Sequence, residues 1–269
     1  MRNDIFDYPL FPAERWNRSD GPNLPITELL ERQQDRYEEV LRLFLSFRER
    51  LIAIERVEEA SSTKPHWENG WLPPIDAISI YSLIAHRRPR TFLEIGSGNS
   101  TKFARQAIND FGLETQIISI DPHPRAEVDA ICSEVIRQPF EQVDTKSLLA
   151  RLAPGDLVFF DGSHRSFQNS DATVFFTEFM WQLPPDVLIG IHDIFLPFDY
   201  PASWISRYYS EQYLLAAALL GLGPRAAIHF PAAYCHSFGL TTRILAPLWE
   251  SHLKGLQTHG GSFWLELPR

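Results

Sequence analysis

The sequence predicts an α/β protein on a doubly wound, mostly parallel sheet, and three observations carry that reading. A short apolar run at 91–95 passes through a Gly-rich turn straight into a helix start. Later apolar runs at 116–120, 156–160 and 187–191 each end abruptly in titratable side chains. The segments between these runs are long enough for crossover helices, which a parallel sheet requires.

Taken in order, the chain opens irregularly, with Pro9, Pro12, Pro22 and Pro25 breaking any regular element. That arm is expected to lie against the domain or a partner subunit. From Thr27 to about Glu59, the apolar residues Leu30, Tyr37, Leu41, Phe44, Phe47, Leu51 and Ile54 recur at three, four and seven, which predicts one long helix. Thr27 is its expected N-cap, and Glu28 and Glu31 suit the first turn. The helix would cap the active site, join two copies into a homo-oligomer, or pack on the core; packing is the preferred reading. A shorter helix is expected over 76–85, after an aromatic and proline-rich stretch in which Trp71 is a secondary lid candidate.

The stretch 91–101 (TFLEIGSGNST) is the most informative. Gly96 and Gly98 allow a tight turn and close approach of a ligand around Ser97, and Ser100 or Thr101 can begin a helix whose first N–H groups are unpaired. A plain strand-to-helix connection also uses small residues, but the second strand, 116–120, ends in Asp121, where an acid meets ribose hydroxyls in a doubly wound sheet. Thr101 stands where dinucleotide folds place a third glycine. Glu94, inside the strand, suits a cation better than a pyrophosphate. S-adenosylmethionine, with a sulfonium and an amino group, satisfies both details.

Residues 156–164 (DLVFFDGSH) and 187–193 (VLIGIHD) would bring Asp161, His164, His192 and Asp193 to one sheet edge if the strands are neighbours. Two carboxylates and an imidazole suit Mg²⁺, Mn²⁺ or another divalent ion acting as a Lewis acid on a substrate hydroxyl. A duller reading makes His192 and Asp193 a hydrogen-bonded pair ending the strand, and His164 a loop histidine capping a carbonyl. The same residue types also fit a two-His, one-carboxylate iron oxygenase, which would leave Glu94 and Asp121 unexplained. After the loop 195–201, a helix containing Trp204, Arg207, Tyr208, Glu211 and Tyr213 is the expected substrate wall, with Arg207 and Glu211 paired along it. Further strands are expected at 135–138, 225–230 and 262–266, with 240–259 inserted before the last.

Through Glu94, Gly96, Gly98, Asp121, Asp161, His164, His192 and Asp193, residues 71–269 resemble the class I S-adenosylmethionine-dependent methyltransferases. The similarity is greatest to the methyltransferase family 24 group, and more distant to the metal-dependent O-methyltransferases acting on macrolide sugars. The resemblance implies a Rossmann-like, seven-stranded sheet with an antiparallel finish, preceded by an N-terminal helical extension over 1–70. It implies S-adenosylmethionine at Glu94, Gly96, Ser97, Gly98, Ser100 and Asp121, with a small hydroxylated metabolite or sugar as acceptor. It also implies a metal on the strand-four and strand-five acids, here Asp161 and Asp193, and a general base three residues after the first acid, here His164. His192 replaces an acid of those relatives, which lowers the charge of the set and changes which metal, if any, it takes. A catalytically silent S-adenosylmethionine-binding protein would keep the same pocket.

With 269 residues, 44% of them hydrophobic, the chain can bury one large core. A formal net charge of -9 argues against a nucleic-acid footprint, which needs clustered Lys and Arg; the basic run at 86–90 reads as a solvated linker. Only Cys132 and Cys235 are present, far apart, so neither a disulfide framework nor a thiolate metal site is expected. The N-terminus lacks the apolar region of a signal peptide, and no apolar run reaches membrane-spanning length. A cytoplasmic protein with a small-molecule partner and no membrane role follows.

Overall fold

Seven strands, β1 (Thr91–Ile95), β2 (Gln116–Ile120), β3 (Glu134–Ile136), β4 (Leu157–Phe160), β5 (Leu188–Ile191), β6 (Ala227–Pro231) and β7 (Phe263–Glu266), form the sheet of the computed structural model, which describes residues 11–57, 63–124 and 127–268. Their order is β3-β2-β1-β4-β5-β7-β6. The first five are parallel; β7 runs antiparallel to both β5 and β6. This is the doubly wound, Rossmann-like sheet that the sequence predicts, with strand ends shifted by at most two residues.

β1, β4 and β5 are buried along their whole length, as expected of strands covered on both faces. β5 packs closest where Gly190 sits: a Cβ there would come within 2.6 Å of the Trp264 ring, which stacks on Phe159 with centroids 5.5 Å apart. The reversal of strand order between β1 and β4 opens a crevice at their carboxyl ends, where ligands bind in sheets of this kind.

The long N-terminal helix is instead three helices, α1 (Leu24–Glu31), α2 (Gln34–Ser46) and α3 (Arg48–Leu51). The chain leaves helical geometry at Gln33 (φ -117°, ψ 16°) and Phe47 (φ -91°, ψ 9°). Gln33 is held there by β6: its side-chain amide donates to the Ala226 carbonyl (3.0 Å) and accepts the Ile228 N–H (3.1 Å). Asn23, not Thr27, caps α1, accepting the Ile26 N–H at 3.3 Å, while the Thr27 hydroxyl donates to the Asn23 carbonyl. Glu59, the expected end of the helix, and Pro9 lie outside the described residues.

The apolar face itself is read correctly. Leu30, Tyr37, Leu41, Phe44, Leu51 and Ile54 are buried, and Phe44 meets Phe230 edge-on at 5.0 Å, so the helices share the core with the sheet. α4 (Pro74–Arg87) runs further than expected at both ends and is buried from Pro74 to Ala85. α5 (Asn99–Asp110), α6 (Thr145–Leu149), α7 (Asp171–Val174) and α8 (Glu211–Leu222) follow, and α9 (Ala232–Ser237), α10 (Leu240–Ile244) and α11 (Ala246–Trp249) lead into the insertion before β7. Among the described residues, no helix is long and apolar enough to cross a membrane.

Candidate active site

The Gly-rich turn is fixed by the strands on both sides of it. The Gly96 N–H donates to the Ile120 carbonyl at 2.9 Å, and the Asp161 N–H donates to the Ile95 carbonyl at 2.7 Å. Gly96 has φ +81°, and a Cβ on it would lie 1.8 Å from the Asp161 carbonyl oxygen, so only glycine fits. A Cβ on Gly98 would meet open space. The helix α5 begins one residue earlier than Ser100, with Gly98 as its N-cap; the Thr101 hydroxyl accepts the Gly98 N–H at 3.0 Å and donates to the Glu94 carboxylate.

Glu94 is fully buried beneath this turn and its Oε1 has no hydrogen-bond partner. Burial, against the opposing hydroxyls of Ser100 and Thr101, pushes its carboxyl up to about 8, with Asp161 and Asp121 adding repulsion. The sequence predicts a negative charge here. Burial favours the neutral form of Glu94 near neutral pH, and a nearby cation would favour the charged one. Asp121 ends β2, its carboxylate accepting the Ser97 N–H at 2.8 Å and the His123 N–H at 2.7 Å.

A cavity of about 660 Å³ opens over the turn. Ser97, Gly98 and Ser100 line one part of it, and Asp161, His192 and Asp193 another. Trp67, Trp71, Phe195, Trp204 and Tyr209 supply aromatic walls, so the secondary lid candidate Trp71 does face the cavity. Glu94, Gly96, Asp121 and His164 stand outside this lining.

The strand ends converge as the neighbouring of β4 and β5 requires. Ligating atoms of Asp161, His192 and Asp193 lie within 4.8 Å of one another. His192 Nδ1 is 3.2 Å from Asp161, and its Nε2 is 3.1 Å from Asp76. His164 sits behind this group, with Nε2 3.3 Å from Asp161 and 3.5 Å from Asp193. Its Nδ1 lies 2.7 Å from Glu211. His164 (φ +61°) and Asp193 (φ +54°) both adopt the left-handed conformation, which is sparsely used by non-glycine residues and aims both side chains back over the strand ends.

The electrostatics follow from this packing. Burial opposes charge on both imidazoles, but the surrounding carboxylates outweigh it, Glu211 foremost at His164 and Asp161 foremost at His192, and hold both well above the ordinary histidine value. Asp161 is held below the usual carboxylate range because His192 and His164 outweigh its burial. Burial raises Asp193 and Glu211 despite the same imidazoles.

Two further residues complete the cluster: Asp76, to which the sequence reading gives no role, and Glu211, which it pairs with Arg207. Asp76, on α4, is fully buried and accepts the N–H groups of Gly261 and Ser262 while facing His192. Glu211, at the start of α8, is fully buried, and its Oε2 has no partner. The expected Arg207–Glu211 pair is absent: residues 202–207 form a 3₁₀ turn that ends at Tyr208 in the left-handed region, so the two side chains never share a helix face. Arg207 stacks on Trp204 instead, at 4.0 Å.

Residues 93–194, from β1 through the end of β5, match the family model described as a methyltransferase domain. This segment is a methyltransferase domain. The match gives no support to the iron-oxygenase reading. No curated protein matches the chain in sequence. Among solved structures, the methyltransferase domain is similar to MycE from the mycinamycin biosynthetic pathway, solved with Mg, S-adenosylhomocysteine and mycinamycin VI. That match is 18% identical, covers 76% of this chain and 52% of MycE, and has a TM-score of 0.44. The chain thus spans about half the length of MycE. It is also similar to an O-methyltransferase from Bacillus cereus solved with S-adenosylhomocysteine, at 14% identity over 92% of this chain and 96% of that one, TM-score 0.40. A third likeness is to the O-methyltransferase TomG from Streptomyces achromogenes, involved in tomaymycin synthesis and solved with S-adenosylmethionine, at 15% identity over 70% and 77%, TM-score 0.39.

Proposed function

We propose that the protein is an O-methyltransferase that moves a methyl group from S-adenosylmethionine to a hydroxyl of a small metabolite or sugar. Residues 71–269 form its catalytic unit, and the N-terminal helices brace that unit. The observation that carries this reading is the meeting of the Gly-rich turn with Asp161, His192 and Asp193 in a single cavity of about 660 Å³, with His164 directly behind the two aspartates.

The residues fit both groups that the reading requires. Glu94 carries an unpartnered buried oxygen beneath the turn, and Gly98 leaves open space above it, which suits a ligand bearing an ammonium or sulfonium charge. Asp161, His192 and Asp193 offer a mixed oxygen and nitrogen set, and Asp76 on the far nitrogen of His192 is the outer partner that orients a ligating imidazole. S-adenosylmethionine, when bound at the Gly-rich turn, would supply the methyl group for the acceptor oxygen. Asp161, His192 and Asp193 would hold a divalent cation, which would supply a Lewis acid for the acceptor hydroxyl.

The protein's own residues manage the proton and the geometry. Asp161 and Asp193 face the cavity and stand against Nε2 of His164, the atom placed to hold the hydroxyl proton. Glu211 accepts the Nδ1–H of His164 and directs its Nε2 at Asp161 and Asp193; a divalent cation beside these aspartates would offset the carboxylates that hold the imidazole protonated and so leave Nε2 able to take a proton. The aromatic walls exclude water and hold the acceptor near the methyl group; positioning of this kind is worth roughly 7–11 kcal/mol of barrier. An acidic chain with two free, separated cysteines supports a small-molecule acceptor and a cytoplasmic setting.

Calorimetric titration with S-adenosylmethionine, followed by incubation of the labelled compound with a panel of hydroxylated metabolites with and without Mg²⁺ or EDTA, tests the proposal. Saturable binding with methyl transfer to a panel member supports it. Absence of binding overturns it. Tight binding with no transfer to any acceptor points to a silent binding protein, and transfer insensitive to EDTA removes the metal.

A further inference from the structure

The acceptor end of the cavity holds a cation with no counterion. Arg207 lines the cavity, and its guanidinium lies over Trp204 at 4.0 Å and near Tyr209 at 5.6 Å. Stacking occupies the faces of a guanidinium and leaves the five in-plane N–H donors at its edge. Among the described residues, no carboxylate or carbonyl takes those donors. The neighbouring Arg165 shows the contrast: it also stands over Tyr209, at 5.3 Å, but spends its donors on the carbonyls of Arg207 (2.8 Å) and Ser163 (3.2 Å). Arg165 holds the loop together. Arg207 is left open.

The stack that carries Arg207 is built of rings packed on one another. Trp204 meets Tyr209 at 5.7 Å and 81°, and meets Phe195 at 5.3 Å and 82°, so the cation is held in place before any ligand arrives. Acids are present in the same cavity, Asp161 and Asp193 among them, yet the aromatic frame keeps the guanidinium unpaired with either. A planar fork of donors fixed beside flat aromatic faces matches an oxyanion attached to a ring.

We infer that Arg207 binds an anionic group, a carboxylate or a phosphate, on the methyl acceptor, so that the substrate class is an acidic hydroxylated ring compound rather than a neutral one. This narrows, and rests on, the methyltransferase reading of the same cavity.

The test uses the full chain loaded with S-adenosylhomocysteine and titrated calorimetrically with 3,4-dihydroxybenzoate, 3,4-dihydroxybenzamide and phenyl phosphate. At least one anionic probe binds tenfold or more tighter than the neutral amide, and the better of the two distinguishes carboxylate from phosphate. Arg207→Gln removes that preference while its affinity for S-adenosylhomocysteine is unchanged, and Arg207→Lys keeps part of it. Equal affinity for charged and neutral probes, or a preference that survives in Arg207→Gln, overturns the assignment. Failure of the wild-type protein to bind S-adenosylhomocysteine overturns the parent reading instead, and is seen before any probe is added.

Discussion

Glu94→Gln should make the empty protein more stable as pH rises, the reverse of the usual effect of removing a charged residue. An acid whose folded pKa is raised stabilises the fold fully below its unfolded pKa and loses that contribution as pH climbs through the folded value. Glu94 moves from 4.5 unfolded to about 8 in the fold, because it is fully buried with one oxygen unpartnered. At about 1.36 kcal/mol per pH unit, the wild type loses about 3 kcal/mol between pH 4.5 and 7, and about 5 kcal/mol by pH 9. Glutamine is neutral throughout and loses none of it. Urea unfolding of both proteins at pH 5, 6, 7 and 8 reads the difference directly: the variant gains on the wild type by about 1.4 kcal/mol per unit across this window. In the same variant, S-adenosylmethionine binds more weakly, because no carboxylate can form opposite its positive charge. A stability difference that stays flat from pH 5 to pH 8 would refute the argument, since it would mean that Glu94 is already ionised in the empty fold.

Three further outcomes follow from the packing. Glu211→Gln should lower turnover by on the order of 10²-fold or more, with S-adenosylmethionine affinity unchanged, because the amide holds His164 in the wrong tautomer; equal losses in binding and turnover would mean a structural role only. Gly96→Ala should lower the melting temperature and abolish cofactor binding, with a cost at or above the top of the ~1–3 kcal/mol range for overpacking, because the new methyl meets the Asp161 backbone at 1.8 Å. Phe44→Ala should cost about 3–5 kcal/mol in urea unfolding and leave the affinity for S-adenosylmethionine unaltered, because Phe44 fills the space between α2 and β6 far from the turn.

The sheet was legible because its signals are local. Each parallel strand is an apolar run bounded by breakers, and each is followed by enough chain for a crossover helix. The breaks in the N-terminal helix were not legible, because nothing within that segment causes them. Gln33 leaves the helix to satisfy the edge of β6, which arrives almost 200 residues later. Periodicity reported the buried face, which survives the break, and was blind to the break.

The same division runs through the site. Asp161, His164, His192 and Asp193 could be found because they end strands, and strand ends of a parallel sheet meet at one edge whatever else the chain does. Asp76 and Glu211 come from helices, and their partners are set by tertiary packing, so no spacing rule points to them. A weaker signal was nevertheless present. Asp76 is the single charged residue in 74–85 (PIDAISIYSLIA), and Glu211 the single one in 211–222 (EQYLLAAALLGL). An isolated charge in a segment otherwise built for burial must find a partner inside, since an uncompensated buried ion costs several kcal/mol. At this sheet edge Asp76 meets His192, besides the N–H groups of Gly261 and Ser262, and Glu211 meets His164. That pairing has a chemical result: both histidines have their far nitrogen anchored from outside the sheet, which leaves Nδ1 of His192 and Nε2 of His164 as the nitrogens turned toward Asp161 and Asp193.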